Sequence, residues 1–308
     1  MRATGRPSLN AYEFMFKAES FAVRGLNKAL GLRPSSRPYV SGDSFRALAH
    51  RVLDKGGDLD GSRVGSGEVV FVDADEIPRF KESILPGIRE RFVLVSHNAD
   101  RNIDERYAAL ADDPRILAWF AQNAVMRHPK VHPLPIGLEN RLKHNNGIVG
   151  DFDRLRARPA KKAMRIIYAF SVGTNEAERR PALEAIRSSP LADGPSWTVS
   201  RAYRECLSGY AFALSPPGNG FDCHRTWEAL YLGVVPIVKR SAFFEAFPGL
   251  PALMIDDWAE VARWDEGFLR RSYDELSPKI AACPYLWMDY WIEAIEARRR
   301  EVENGGIA

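Results

Sequence analysis

The segment 212–238, FALSPPGNGFDCHRTWEALYLGVVPIV, places Asp222, His224, Arg225 and Glu228 within seven residues, directly after the turn Pro216-Pro217-Gly218-Asn219-Gly220. The apolar runs at either end read as strands, and the stretch up to Gly233 reads as a helix. Polar groups therefore collect where a strand hands over to a helix N-terminus. Backbone N–H groups point outward there and favour anions, phosphates above all. On a helix Arg225 neighbours Glu228, and His224 shares a face with Glu228. This pattern suits an anionic ligand that also carries hydroxyls. The helix end and Arg225 would meet a phosphate, Glu228 would take a ribose diol, and Asp222 and His224 would stand among the donor-binding residues. Asn219 and Gly220 would form a close-fitting loop, because glycine lets backbone approach a ligand. The same spacing equally suits an intrahelical Arg225–Glu228 ion pair with His224 as a helix cap.

The elements that must hold these residues alternate. In the first half, 69–72 and 92–96 read as strands, 44–53 and 76–84 as helices, and 116–120 as a helix or short buried element. The run 130–136 leads into the turn Gly137–Asn140. Residues 14–32 have helical apolar spacing (Phe16, Phe21, Leu26, Leu30) and look peripheral. In the second half, strands are expected at 165–170, 197–199, 212–214, 234–238 and 252–255, with helices between them. A helical tail over 259–301 carries Trp287, Tyr290, Trp291 and Ile295 on one face, able to pack back onto the first half. Residues 141–163, with Asn145-Asn146-Gly147 and Pro159, read as a linker. The fold class is α/β, with Rossmann-like domains over 1–150 and 151–308.

Composition narrows the function. The chain has 308 residues and a net charge of +3, too little positive charge to argue for nucleic acid. Cys206, Cys223 and Cys283 are odd in number and lack zinc-site spacing. No apolar run is long enough for a membrane span, so a cytoplasmic setting is the expectation. The loop Ser171-Val172-Gly173-Thr174-Asn175 lacks the G-x-G-x-x-G spacing of a dinucleotide dehydrogenase, and neither a Walker lysine motif nor a G-x-S-x-G elbow occurs. Gly173 and Thr174 remain candidates for a small polar turn against a nucleotide sugar.

SPPGNGFDCHRTWEALYLGVVPIV resembles the C-terminal signature of exostosin-type glycosyltransferases, bacterial branch: a Ser/Pro/Gly run, an Arg, a W-E-A-L helix and G-x-x-P-[IV]-[VI]. Ser41–Arg46, Leu94–Asp100 and Pro135–Asn140 look like further blocks of that group, so the likeness spans roughly residues 36–260. The resemblance implies a GT-B architecture, two Rossmann-like domains facing across a cleft. It also implies a nucleotide-sugar donor on the C-terminal domain, a surface polysaccharide or other glycan as acceptor on the N-terminal one, and no metal or other cofactor. Arg225 and Glu228 would contact donor phosphate and hydroxyls. At 308 residues the chain is compact for two such domains.

Glycosyl transfer without metal needs donors for the departing diphosphate. Arg225, the helix end, and Lys239 or Arg240 just past the strand at 234–238 fit that need. An inverting reaction also needs a base for the acceptor hydroxyl. Asp43, His97 and Asp100, at strand ends of the first half, are the candidates, although a cap or a backbone hydrogen bond would place the same residues there. Asp73-Ala74-Asp75 follows a strand as a metal-binding D-x-D pair would, giving a metal-dependent transferase as the alternative; capping of the next helix is the reading we favour. A non-catalytic nucleotide- or glycan-binding protein of the same fold is the remaining possibility.

Overall fold

The computed structural model describes residues 11–194 and 200–303, so the strand expected at 197–199 lies outside the described residues. Two five-stranded parallel sheets make up its frame. The first runs β1 (Arg51–Leu53), β2 (Val69–Asp73), β3 (Phe92–His97), β4 (Ile116–Gln122) and β5 (Val131–Leu134), side by side in sequence order. Strands β2, β3 and β4 are buried along their whole length. That is why they read as continuous apolar runs: a parallel sheet is covered on both faces.

Sequential order has a consequence. Right-handed crossovers put every connection on the same face of such a sheet. On that face Val70, Val72, Leu94 and Trp119 pack with Ile77, Phe80 and Leu110. The opposite face, with Val69, Phe71, Val95 and Phe120, must be covered by something else. The helix Met288–Glu303 covers it from the far end of the chain, with Trp291 and Ile295 in the same cluster. Trp291 lies edge-on to Phe45, ring centroids 6.2 Å apart, and Arg299 Nε donates to the Gly67 carbonyl at 2.7 Å. The tail does pack back on the first sheet.

The second sheet comprises β6 (Ala163–Tyr168), β7 (Ala192–Asp193), β8 (Tyr210–Leu214), β9 (Val235–Lys239) and β10 (Leu253–Ile255), in the order β7-β6-β8-β9-β10. The chain steps from β6 to one side and then returns to the other. The order thus reverses between β6 and β8, and a crevice opens there at the carboxyl ends of the strands, where open α/β sheets bind ligands. The first sheet has no such reversal. Two Rossmann-like domains therefore face each other across a cleft, and only the C-terminal one has a switch point.

Two expectations change and one left open is decided. Residues 44–53 are not one helix: Ser41 caps a short helix Gly42–Arg46, and Arg51–Leu53 pair with Val70–Val72 as β1. Sheet pairing overrides the local pattern there. Residues 116–122 form a central strand, which short apolar runs do not distinguish from buried helix. The stretch 141–163 contains the helix Val149–Ala157. Its anchors, Phe152 and Asp151, are too sparse a pattern to read from sequence; Asp151 accepts from Arg201 at 3.1 Å and pairs closely with Arg204.

Candidate functional site

The helix His224–Tyr231 starts directly after the loop that leaves β8. Its inner side is fixed by Trp227, whose Nε1 donates to both Asp222 oxygens at 2.8 and 2.7 Å. The Cys223 amide donates to the same carboxylate at 2.8 Å, and so does the Ile136 amide, at 2.7 Å, from the opposite domain. Asp222 is therefore a buried bracket across the cleft, with its acceptors committed to protein donors; this differs from the donor contact expected of it. In Asp222→Asn one of these oxygens becomes a donor facing N–H groups, and we expect a loss of about 1–3 kcal/mol. Thermal unfolding reads this directly, and an unchanged melting temperature would show that the bracket carries no stability.

Gly220 sits against the other domain as well. A β-carbon there would lie 2.4 Å from Asn123 Nδ2, while Asn123 Oδ1 accepts from the Asp222 amide at 3.0 Å. Glycine is required by close approach, not by an unusual φ. Asn219 Nδ2 donates to Asp100 Oδ2 at 3.0 Å, bridging the cleft rim. These contacts join the loop 216–223 to the first domain.

At the switch point the electrostatics are uneven. Arg225 lies in the first turn of its helix, with its guanidinium 5.8 Å from the Phe170 ring centroid, next to the Tyr203 hydroxyl. Its Nε is enclosed and makes no hydrogen bond. Arg179, in the first turn of the helix Glu176–Arg187, is buried and lies over the same ring at 5.9 Å. Its donors meet only backbone carbonyls, Pro217 at 2.8 Å and Ser171 at 2.9 Å. Burial pushes the Arg179 pKa down, and the nearby Arg225 cation adds to the effect. Among the described residues no carboxylate lies within 4.0 Å of either guanidinium. The Arg225–Glu228 ion pair therefore does not form. Each arginine also occupies the helix end where the macrodipole disfavours a cation.

Glu228 follows one turn on. It is buried, and burial pushes its carboxyl up to about 7 while Arg204 and Arg225 pull it the other way. Against the loop 217–221, a cavity of 330 Å³ is bordered by Asn175, Pro217, Phe221, Phe244 and the ion pair of Lys239 with Glu178 at 2.9 Å. Lys239 is thus engaged, and Arg240 pairs with Asp256 at 2.8 Å. Gly173 has open space around it, and Thr174 stands about a van der Waals contact from the Gly218 position. Both flank the loop without an identified bond to it.

On the other side of the cleft a second cavity, 250 Å³, is lined by His97, Asp100, Glu139, Asn140, Lys143 and His224. Its two histidines differ. His97 is buried, with Nδ1 accepting from the Asn98 amide at 2.8 Å and Nε2 donating to the Pro135 carbonyl at 3.1 Å. Burial lowers its pKa to about 4. Both nitrogens are occupied, which is the backbone-holding role weighed against base chemistry. His224 instead donates from Nδ1 to the Gly137 carbonyl at 2.7 Å. That bond fixes its neutral tautomer and leaves the lone pair on Nε2, in a side chain that lines the cavity. Burial also lowers the pKa of His224.

Asp43 is buried, 3.7 Å from Arg33, and is not in that lining; burial raises its pKa. Asp73 accepts from the Asp75 amide at 3.1 Å, as a cap, and Asp75 pairs with Lys55 at 2.8 Å. The structure thus brings Arg225 and Glu228 together with Arg179, and His224 with His97 and Asp100. Sequence reading missed Arg179. Its signal was available: an arginine in the first turn of a helix, where charge complementarity asks for an acid.

No family model matches the chain, and no curated protein sequence does either. Among solved structures the chain is similar to α,α-trehalose 6-phosphate synthase from Burkholderia multivorans, with a TM-score of 0.45 and 9% identity over 78% of this chain and 72% of that one. It is also similar to AviGT4, a glycosyltransferase involved in avilamycin A biosynthesis, with a TM-score of 0.42 and 12% identity over 100% of this chain and 96% of that one.

Proposed function

We propose that the protein is a GT-B glycosyltransferase that moves a sugar from a nucleoside diphosphate donor to a glycan hydroxyl. The observation that carries this reading is the pair Arg179 and Arg225, two cations at the switch point of the C-terminal sheet with no carboxylate within 4.0 Å among the described residues. The diphosphate lies against them and the N-terminus of helix 224–231. The nucleoside fills the 330 Å³ cavity beside Phe221 and Phe244, and Glu228 accepts from hydroxyls. The acceptor enters the polar cavity lined by Asp100, Glu139 and His224.

The acceptor oxygen forms a bond to the anomeric carbon as the bond from that carbon to the β-phosphate oxygen breaks. The leaving diphosphate gains negative charge, which fixed guanidinium groups stabilise without reorganising. His224 Nε2 takes the acceptor proton. His97 positions Asn98 and the Pro135 strand end, and is not the base in this scheme. Asp73 serves as a cap outside the polar cavity, and Asp75, which does line it, is engaged by Lys55, so the alternative D-x-D reading has only one carboxylate at the cavity.

The test is turnover. The protein is incubated with a panel of nucleotide sugars and oligosaccharide acceptors, with and without EDTA, and followed by nucleoside diphosphate release and product mass. Release with one donor, insensitive to EDTA, is expected. Activity that requires added Mn²⁺ would sink the metal-free scheme, and donor binding without turnover would make the protein a binding module.

A further inference from the structure

The helix Ala11–Ala29 touches the rest of the protein along a narrow strip. Phe16 is buried on that strip, with the Arg201 guanidinium 4.9 Å from its ring centroid, and Asn27 Nδ2 donates to the Leu142 carbonyl at 3.5 Å. The opposite face is open and apolar. Met15, Phe21, Leu26 and Leu30 stand 57–73% exposed, with Ala18, Ala22 and Ala29 exposed between them. With Leu32, that segment holds five of the seven large apolar side chains exposed among the described residues. Scattered exposed leucines need no explanation, but a continuous face does.

The cations beside this face gather on one flank, while Glu19, exposed at the other edge, lies 3.3 Å from His144 Nε2. Lys17, Arg24 and Lys28 fall on one flank of the helix at its 3.6-residue period, all exposed. The first 33 residues contain six Lys or Arg against two Glu, so the net +3 of the whole chain resides there and the remaining residues are slightly acidic. An apolar face bordered by cations is the arrangement of a helix that lies in a membrane interface. Basic side chains next to it are drawn to anionic headgroups.

We infer that the helix Ala11–Ala29 docks the protein on an anionic lipid surface, Phe21, Leu26 and Leu30 entering the headgroup boundary and Lys17, Arg24 and Lys28 meeting lipid phosphates. The helix packs on the turn Arg141–Lys143, whose Lys143 lines the acceptor-side cavity. If the proposed function holds, docking sets that cavity close to the membrane and suits a lipid-linked acceptor. The docking itself does not depend on that reading.

The experiment is flotation of the full chain with vesicles of phosphatidylcholine alone or mixed with phosphatidylglycerol. Binding to the mixed vesicles, weakened by salt and absent on phosphatidylcholine alone, is expected. Phe21→Ser and Leu26→Ser should each weaken it roughly tenfold, and Lys17→Glu or Lys28→Glu roughly fivefold or more. These side chains are exposed, so unfolding temperatures should stay unchanged and separate docking from misfolding. Absence of binding to mixed vesicles, or equal binding by the Phe21 and Leu26 variants, would overturn the inference. So would a dimer in solution that the same variants dissolve, since the face would then belong to a second copy. Neither donor nor acceptor enters the assay, so failure of the proposed activity and failure of docking are told apart.

Discussion

Replacing both Arg179 and Arg225 by methionine should abolish measurable donor binding while costing the ligand-free protein little stability. The two halves of this result have a common cause. Each guanidinium can give charge-assisted hydrogen bonds to phosphate, worth about 1.5–3 kcal/mol, so each single substitution should weaken donor affinity roughly 10- to 150-fold. In the free protein the Arg179 bonds to the Pro217 and Ser171 carbonyls are offset by unfavourable terms. The two guanidinium groups repel each other, they sit where the helix dipoles are unfavourable, and Arg225 Nε is enclosed without a partner. Methionine keeps an unbranched apolar stem against the Phe170 ring. Calorimetric titration and thermal unfolding of the same samples check both halves. Lower stability with intact affinity would mean that the pair is structural.

His224→Ala should lower kcat by roughly 10²- to 10⁴-fold, the usual contribution of a positioned base, with donor affinity nearly unchanged. The argument rests on tautomer. The Gly137 carbonyl takes the Nδ1 proton, so Nε2 keeps its lone pair in a cavity-lining side chain. The pH profile gives an independent reading. A histidine with a lowered pKa stays neutral below its ordinary value of 6.5, so kcat should hold as pH falls to that value and decline only below it. His97→Ala should behave otherwise, losing stability through the Asn98 and Pro135 bonds. Equal losses of kcat in both variants, without destabilisation of either, would place the base elsewhere.

The sequence and the structure agree where local chemistry dominates. The strand–loop–helix–strand of 212–238 was legible because apolar runs, a Pro/Gly turn and Gly233 punctuate it. The packing of Trp291 onto the first sheet was readable as an amphipathic face, although which surface it covers follows from the sheet order. Partnership across the cleft was not legible. Asp222 looked like a ligand contact because sequence does not reveal that Ile136, 86 residues away, supplies an amide to it. His97 and His224 were equivalent as residue types; the bonds to Pro135 and Gly137 separate them. The Gly42–Arg46 helix ended early because pairing of Arg51–Leu53 with β2 is a long-range interaction that no local pattern announces.

Calorimetric titration of the unaltered chain with UDP, GDP, ADP and dTDP, each beside its monophosphate and with EDTA present, asks whether the crevice between β6 and β8 holds a diphosphate. At least one diphosphate should bind, roughly tenfold or more tighter than its monophosphate, and inorganic pyrophosphate should compete with it. Binding only in the presence of Mn²⁺, equal affinity for mono- and diphosphate, or binding that survives loss of both Arg179 and Arg225 would contradict the site.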